Sequence, residues 1–429
     1  MEAISFGPFP GIDGYDEAAS RDEADPLQAF AQSFRPVESN LIYLDGNSLG
    51  RLPKATVSRI QEVVNREWGD RLIRSWPERW WDLADEIGSL LASLVGAEPS
   101  EVIVTDSTSV ALSKLTIAAL RARAGRCRII TDDLNFPTDN YVTAASADLL
   151  GGREVVSVAS RDGLHGPVDD IIEALDQNTA LLTLSHVVFK SGFLYDMERL
   201  TKAAHDVGAL VLWDLSHSVG AVPIDLGAAG ADLAVGCTYK YLNGGPGSPA
   251  FLYVNSAIDD QIENPLSGWW GHKDPFAFDL KYAPAASIRR FQTGTMPILS
   301  LAGVETGAAI TIEAGIHRIR QKSVGLSEFF IEQARDNLEP LGFALASPRH
   351  PDRRGSHVSL RHRDGWRIVK AMIDHGSIIP DFRDPDNIRF GLAPLYTSYT
   401  DVHTAVHRIV ALIDADLHLG CDHTRGGVT

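Results

Sequence analysis

Residues 180–214 indicate the fold class of this chain of 429 residues. This stretch reads ALLTLSHVVFKSGFLYDMERLTKAAHDVGALVLWD. It begins and ends with short apolar runs, at 180–185 and 209–214, and residues 197–207 between them fit an amphipathic helix. Continuous apolar runs separated by helices indicate strands that are buried on both faces of a mostly parallel sheet. The stretch therefore predicts a strand, helix, strand unit of an α/β domain.

The same alternation extends toward the N-terminus. Strand-like runs occur at 101–105, 128–131 and 154–158, and helix-compatible segments lie between them at 110–124 and 138–150. The apolar run at 41–44 is preceded by an acidic segment, residues 17–26, which we predict to be a solvated helix or arm.

The pattern changes after about residue 306. A long helical stretch to 341 is followed by strand-like runs at 356–360 and 387–392 and by helices at 366–375 and 401–417. Such a mixture is typical of an α+β unit. We therefore predict an N-terminal arm that is part of a small domain (1–60), a large domain (61–305) and a small C-terminal domain (306–429).

Composition excludes several classes of protein. The 39 Lys and Arg against 56 Asp and Glu leave a formal charge of −17, which argues against nucleic acid and anionic membranes as partners. Three cysteines are too few for a disulfide scaffold and show no zinc spacing, so we expect no metal site and a reducing compartment. No signal peptide and no apolar run of membrane-spanning length is evident, so we expect a cytoplasmic protein.

The segment GCTYKYLNGGPG, residues 236–247, carries the first chemical signal. Lys240 stands between Tyr239 and Tyr241, directly before a glycine-rich turn. Desolvation by such neighbours frees a lysine amine as a nucleophile, so Lys240 is a candidate Schiff-base lysine. The alternative is a surface lysine before a loop.

A carboxylate follows the central strand. Asp214 ends the apolar run at 209–214, and ligands of parallel sheets bind at the carboxyl ends of strands. A carboxylate there can hold a protonated pyridine nitrogen, as pyridoxal phosphate requires. His217 follows three residues later and can pack near the same ring. The alternative is that Asp214 is only a helix N-cap.

Two further strand ends carry polar or aromatic side chains. The segment 105–109 offers three hydroxyls at the start of a predicted helix, where unpaired amides attract a phosphate. Phe136 and Asp139 follow the strand at 128–131 and combine a stacking ring with a carboxylate. The alternatives are a plain helix cap and a turn in which Pro137 starts a helix.

Many segments together resemble one enzyme family, the kynureninases, especially the bacterial ones. The matching blocks are YLDGNSLG (43–50), LIRSW (72–76), DSTSV (106–110), NFPTD (135–139), WDLSH (213–217), GCTYKYLNGGPG (236–247), SGWWGH (267–272), GTMPI (294–298) and RFGLAPLY (389–396). They occur in the family's order and cover about residues 20 to 415.

The resemblance implies a fold type I pyridoxal-phosphate-dependent transferase fold, with a mostly parallel sheet in the large domain and a smaller α+β C-terminal domain. It further implies pyridoxal 5'-phosphate as cofactor, a small amino-acid substrate and a homodimer. The implied reaction is hydrolysis of the Cβ–Cγ bond of L-kynurenine, or of 3-hydroxy-L-kynurenine, to alanine and an anthranilate.

The resemblance also implies roles for single residues. Lys240 would bond the cofactor and move the Cα proton, Asp214 would pair with the pyridine nitrogen, and Tyr239 would donate a proton to Cβ. The implied cofactor contacts are Thr108, Ser109, Phe136, Asp139, Ser185, Asp214, His217, Tyr239, Lys240, Trp269 and Thr295. The implied substrate contacts are Arg389, which would clamp the α-carboxylate, and Asn47, Trp269 and Thr295.

Three positions bear on the choice of substrate. Val188 and Ala111 stand where the family commonly has asparagine, and either could face the site and report a modified aryl substrate. Met296 beside Thr295 is better explained as a core gap-filler.

Two rival functions remain at this stage. The first is a cysteine desulfurase-like or other fold type I lyase acting on a modified kynurenine or another amino acid, and the desulfurase needs a mobile cysteine. The second is a non-catalytic cofactor-binding relative, which would be expected to lack Lys240, Asp214 or Arg389. All three of these residues are present.

Overall fold

The computed structural model describes residues 14–422. The predictions for residues 1–13, including the absence of a signal peptide there, and for residues 423–429 lie outside the described residues. The strands are β1 (Ile42–Tyr43), β2 (Val102–Val104), β3 (Arg128–Asp132), β4 (Glu154–Val158), β5 (Thr179–Ser185), β6 (Leu210–Asp214), β7 (Leu233–Gly236), β8 (Phe251–Val254), β9 (Ala344–Leu345), β10 (His357–Arg361), β11 (Ile378–Ile379), β12 (Asp381–Arg383) and β13 (Asn387–Gly391).

The α-helices follow the same chain order. They are α1 (Tyr15–Glu23), α2 (Lys54–Glu62), α3 (Leu83–Val95), α4 (Thr108–Ala122), α5 (Pro137–Leu149), α6 (Val168–Ala174), α7 (Met197–Asp206), α8 (Ile298–Ala314), α9 (Ile316–Asn337), α10 (Gly365–Asp374) and α11 (Tyr399–Asp414). Between α2 and α3 the chain forms π-helical turns at Val63–Arg71 and Trp76–Trp80.

A seven-stranded sheet in the order β2-β8-β7-β6-β5-β3-β4 organises the large domain. Only β8 runs against the other strands of this sheet, because it pairs antiparallel with both β2 and β7. Every residue of β5, β6 and β7 is buried, as expected for strands covered on both faces. The carboxyl ends of β2, β3, β5, β6 and β7 therefore meet at one edge.

The helices cover this sheet through apolar faces. Helix α7 illustrates the pattern, because Met197, Leu200, Thr201 and Ala204 are buried at helical spacing and the Asp196 side chain caps its first turn at the Arg199 amide. One large core joins the sheet to α3, α4 and α8. The α/β fold class is confirmed.

A second core surrounds the four-stranded antiparallel sheet β12-β13-β10-β9 and includes α9, α10 and α11. Ile42 and Leu44 of the N-terminal segment belong to this core, and β1 pairs in parallel with β11. The division of the chain at residues 60 and 305 stays a prediction.

Two local predictions were wrong. The long helix expected from 306 to 341 is two helices, α8 and α9, which meet at an angle of 80° because Gly315 takes a φ of +80° that only glycine adopts easily. The acidic segment at 17–26 was predicted to be a solvated helix or arm: most of it does form a helix, α1, and only the expectation that it is solvated throughout was wrong. Asp22 in α1 is buried and accepts hydrogen bonds from the backbone amides of Tyr399 and Thr400 at 2.7 and 3.0 Å, so it holds the start of α11.

Within residues 14–422 no single helix is long and apolar enough to cross a membrane. Helices α8 and α9 reach that length and composition only together, across their 80° bend.

Candidate active site

A pocket lies where the carboxyl ends of the large-sheet strands face the small domain. Ten of the predicted site residues line it: Asn47, Thr108, Ser109, Phe136, Asp139, Asp214, His217, Tyr239, Lys240 and Arg389. Four further residues line it that the sequence did not single out: Ser48, Thr138, Ser216 and Arg383. The strand-end argument therefore located the pocket, and it missed the side chains that come from the small domain and the intervening turns.

Lys240 is held in a tight turn after β7. The Thr238 carbonyl accepts the Gly244 amide at 2.8 Å, and the Lys240 carbonyl accepts the Asn243 amide at 2.9 Å. The N-terminal segment closes over this turn, because the Gly50 amide donates to the Tyr239 carbonyl at 2.8 Å. A Cβ at Gly50 would lie 2.3 Å from the Lys240 carbonyl oxygen, which explains the glycine there.

The Lys240 side chain points at a neutral histidine. Its Nζ lies 2.8 Å from His217 Nε2. Burial, and then the charge of Lys240, lowers the pKa of His217 well below its ordinary value. His217 therefore accepts the hydrogen bond from the lysine and carries no charge of its own near pH 7. Lys240 is thus a pocket residue and not a surface lysine.

Asp214 and Asp139 share a buried corner of the pocket. Ser185 Oγ donates to Asp139 Oδ2 at 3.5 Å, so Ser185 supports this corner from β5 without lining the pocket itself. Burial, followed by repulsion from Asp214 and a hydrogen bond with it, raises the pKa of Asp139 well above its ordinary value. Asp214 also accepts the Ser216 amide at 2.8 Å, so it caps a turn and no α-helix starts there.

The N-terminus of α4 also contributes to the pocket wall. Ser107 is the N-cap residue, and Thr108 and Ser109, the first two helical residues, line the pocket. The amides of a first turn have no partner within the helix and attract anions. The nearby Asp106 does not oppose an anion with a free charge, because it forms an ion pair with the buried Lys114.

An exposed aromatic ring is also part of the pocket wall. Phe136 lines the pocket, is 41% exposed and meets Phe189 edge to face at 5.3 Å between ring centroids. Pro137 starts α5 directly after it. The functional and the structural interpretation of this segment are therefore compatible.

Arg389 reaches the pocket from β13. Its guanidinium forms an ion pair with Asp381, donates from Nη1 to the Phe189 carbonyl at 2.6 Å and donates from Nη2 to Ser48 Oγ at 3.1 Å. Asp381 belongs to the small domain, whereas Phe189 follows β5 of the large sheet and Ser48 lies in the N-terminal segment. The arginine thus joins the small domain to the loop after β5 and to the N-terminal segment.

Asn47 is completely buried beside Arg389. Neither its amide nitrogen nor its carbonyl oxygen has a hydrogen-bond partner within residues 14–422. A Cβ at Gly391 would lie 1.9 Å from Asn47 Oδ1, so only glycine at 391 leaves room for this side chain. A buried amide without a partner is costly, which favours a role in binding.

Besides Ser185, two predicted residues do not line this pocket. Trp269 is 42% exposed and lines a different surface pocket with Phe278 and Tyr282. Thr295 is exposed as well. Within residues 14–422 of the single chain neither side chain lines the pocket at Lys240, and their contacts with the cofactor and the substrate stay predictions.

The positions considered for substrate choice are settled by burial. Val188 and Ala111 are at most 1% exposed and belong to the large core, and neither is among the residues that line the pocket. Met296 is buried in the same core, which agrees with its interpretation as a gap-filler.

The residues of the pocket fit pyridoxal phosphate. A protonated pyridine nitrogen would add a positive charge beside two buried carboxyl groups, Asp139 and Asp214, of which Asp139 strongly resists ionisation. The helix N-terminus with Thr108 and Ser109 suits the phosphate. Phe136 provides an aromatic ring in the same pocket for the pyridine ring to stack on. Within residues 14–422, no group of three or more His, Cys, Asp or Glu side chains is arranged to hold a metal ion.

Solved structures share the fold at low identity. The apo cysteine desulfurase from Thermococcus onnurineus NA1 is 20% identical, with a TM-score of 0.78, and the match covers 90% of this chain and 98% of that one. A variant of the enzyme C-DES with glycine covalently linked to its pyridoxal phosphate cofactor is 18% identical, with a TM-score of 0.75 and coverage of 86% and 97%.

Curated relatives are much closer in sequence. Kynureninase from Pseudomonas fluorescens is 44% identical over 398 residues, which is 92% of this chain and 94% of the relative. Kynureninase from Burkholderia mallei (strain SAVP1) is 41% identical over 409 residues, 94% of this chain and 96% of the relative. The profile of the kynureninase C-terminal domain matches residues 319–409. The chain therefore belongs to the kynureninase family of pyridoxal-phosphate-dependent fold type I enzymes.

Proposed function

We propose that the pocket at Lys240 is the site where this enzyme hydrolyses the Cβ–Cγ bond of L-kynurenine, or of 3-hydroxy-L-kynurenine. Water adds to the γ-carbonyl, the Cβ–Cγ bond breaks, the aroyl group is released with the added oxygen as anthranilate or 3-hydroxyanthranilate, and Cβ receives a proton to give L-alanine. One observation carries the proposal. Lys240, Asp214 and Arg389 belong to three separate segments, whose apolar residues pack in two different cores, and all three side chains line one pocket.

Bound pyridoxal phosphate supplies the conjugated system that delocalises negative charge at Cα. We propose that Thr108 and Ser109 hold its phosphate, and that Phe136 stacks on its ring. Asp214 keeps its pyridine nitrogen protonated, with Asp139, Ser185 and His217 in support.

The remaining roles concern protons. Lys240 binds the cofactor covalently at rest and moves the proton at Cα. The hydrogen bond that it donates to His217 supports this role, because an uncharged histidine can accept a proton. Tyr239 donates the proton to Cβ. The neighbouring Cys237, followed by burial, raises the pKa of Tyr239, so its hydroxyl keeps its proton near neutral pH.

The desulfurase alternative lacks a suitable cysteine. Cys237 is buried, and its Sγ lies 3.7 Å from the Ser216 carbonyl oxygen. Cys127 precedes β3 at the amino end of that strand, opposite the pocket edge. Cys421 follows the last described helical turn. None of the three lines the pocket, so none is placed as the mobile nucleophile of that reaction.

The substrate is tested directly with the purified holoenzyme. We expect turnover of kynurenine and of 3-hydroxykynurenine to be detected by the fluorescence of the two anthranilate products. The ratio of the two kcat/KM values identifies the preferred ring. Turnover of neither substrate, with cysteine or another amino acid consumed in their place, would contradict the proposal.

Arg389 provides a test of substrate binding that is separate from cofactor binding. We expect Arg389→Lys to keep the absorbance of the bound cofactor and to lower kcat/KM for kynurenine by roughly 10–100-fold, because lysine keeps the charge and loses the planar set of N–H donors of the guanidinium. Steady-state kinetics and a visible spectrum measure the two effects. Loss of the cofactor, or an unchanged kcat/KM, would make Arg389 a structural ion-pair residue.

We also propose a homodimer. Exposed apolar side chains cluster on the segment that contains Trp269: Leu266, Phe276, Phe278 and Leu280 are 51, 61, 78 and 104% exposed. A contiguous apolar surface of this kind is typical of an interface. A second copy on this face would explain how Trp269 and Thr295 reach a cofactor without lining their own pocket.

Subunit exchange tests this arrangement. We expect Lys240→Ala and Trp269→Ala each to be at least roughly tenfold less active than the parent enzyme. An equal mixture of the two variants should recover about a quarter of the parent activity. About half of its dimers are hybrids, and one of the two sites in each hybrid combines an intact lysine with an intact tryptophan. Activity after refolding the mixture is the measurement. No recovery would show that Trp269 acts within its own subunit.

We place the enzyme in the cytoplasm, in tryptophan catabolism that also feeds NAD biosynthesis. The support is its chemistry and its three unpaired cysteines.

A further inference from the structure

Two arginines, not one, face the substrate end of the pocket. In the antiparallel pair of β12 and β13, Asp381 stands directly opposite Arg389, and Arg383 follows Asp381 at the next position on the same face. Both arginines line the pocket. Asp381 lies between them, because its Oδ2 pairs with Arg389 and its Oδ1 lies 2.9 Å from Arg383 Nη1.

Arg389 has already used most of its donors. A guanidinium carries five N–H groups. In Arg389 these bind Asp381 through Nε, Asp381 and Ser48 through Nη2, and the Phe189 carbonyl through Nη1. One N–H remains on Nη1. A bidentate grip on a carboxylate needs two parallel N–H groups, so Arg389 alone does not provide it in this arrangement.

Arg383 offers the donors that Arg389 lacks. Its Nη1 binds the Phe382 carbonyl at 3.0 Å and Asp381, and its side chain is 33% exposed at the pocket wall. Within residues 14–422, Nε and Nη2 of Arg383 have no hydrogen bond or ion pair to protein. The edge formed by Nε and Nη2 is one of the edges by which arginine grips a carboxylate.

We propose that Arg383 is a second substrate-binding arginine, which shares the α-carboxylate of the substrate with Arg389, and that Asp381 is the positioning residue for both. The inference rests on the proposed function, in which Arg389 binds that carboxylate. It adds the residue that completes the bidentate contact. Asp381 is buried, so a single carboxylate fixes the spacing of the two guanidinium groups.

The test compares two ligands of the holoenzyme by absorbance titration. L-Alanine is a product of the reaction and carries the α-carboxylate, whereas L-alaninamide has an uncharged amide in its place. We expect Arg383→Gln to raise the Kd of alanine and the KM of kynurenine about tenfold, with kcat and the Kd of alaninamide changed less than about twofold. Arg383→Lys, which keeps the charge and loses the fork, should lie between.

Asp381→Asn tests the positioning role. We expect it to weaken alanine selectively as well, because the two arginines lose their common anchor. Arg363→Gln removes one charge from an arginine that is 90% exposed in the same domain. Asp25→Asn breaks a buried ion pair, Asp25 with Lys322 at 2.6 Å, which does not line the pocket. Neither control should change the ratio of the two Kd values.

The outcomes separate the two proposals. If Arg389→Lys weakens alanine selectively and Arg383→Gln does not, Arg383 is not a substrate residue and this inference fails alone. If neither variant changes the ratio, the carboxylate binds elsewhere and the proposed role of Arg389 fails too. If Arg383→Gln is selective and Asp381→Asn weakens both ligands equally, the positioning role of Asp381 is wrong.

Discussion

Asp214→Asn is expected to keep the cofactor bound and to lose turnover by roughly 10³-fold, about 4 kcal/mol of transition-state stabilisation. The amide has nearly the shape of the carboxylate, so the contacts at the phosphate and at the ring face persist. It cannot, however, keep a pyridine nitrogen protonated, and the negative charge that develops at Cα then has no adequate sink. Equilibrium dialysis measures cofactor affinity, and single-turnover kinetics measure the chemical step.

Asp139→Asn is the matched control for this substitution. Asp139 occupies the same buried corner, and burial and Asp214 hold its pKa well above the ordinary value. Its carboxyl group therefore ionises less readily than an ordinary aspartate, and the amide should replace it with a much smaller loss. A similar loss in both variants would mean that the corner acts as a unit. Near-normal turnover in Asp214→Asn would reduce Asp214 to the turn cap that it forms with Ser216.

The sequence predicted the large domain well for a physical reason. The strands β5 and β6 are buried along their whole length, because parallel strands in the middle of a sheet are covered by helices on both faces, whereas the edge strand β4 is only partly buried. Residues that follow such strands meet at one edge, so Asp214 and the segment 135–139 could be placed together from the sequence alone. Lys240 was singled out by its aromatic neighbours and by the family resemblance. The strands β7 and β8 have four residues each and escaped this pattern.

The small-domain side of the pocket depended on information that a linear pattern lacks. Strand β12 has three residues, and only its register against β13 places Arg383 on the same face as Arg389. The buried Asn47 likewise depends on the missing side chain at Gly391, 344 positions away by number and adjacent in space. Trp269 and Thr295 were predicted from the family resemblance, and within residues 14–422 of one chain neither lines the pocket.

Lys240→Ala is expected to have the largest effect, a loss of roughly 10⁴-fold or more in turnover, because it removes both the covalent attachment and the group that moves the Cα proton. Borohydride treatment of the parent enzyme should fix the cofactor on the peptide that contains Lys240, and mass spectrometry of the digest identifies it. The variant should bind the cofactor without a label that survives denaturation.

Other lysines provide the controls. Lys114 is buried but committed to Asp106 and to the Phe291 carbonyl, and Lys202 is exposed and paired with Asp206. Lys190 is half-buried, and burial lowers its pKa, so within residues 14–422 it is an alternative nucleophile to Lys240. It does not line the pocket. A label on Lys190 would therefore contradict the site itself, whereas Lys202→Ala should leave labelling and turnover as in the parent. The 2.8 Å contact with His217 distinguishes Lys240 from these other lysines, because it holds the Lys240 amine in the pocket beside a neutral hydrogen-bond acceptor.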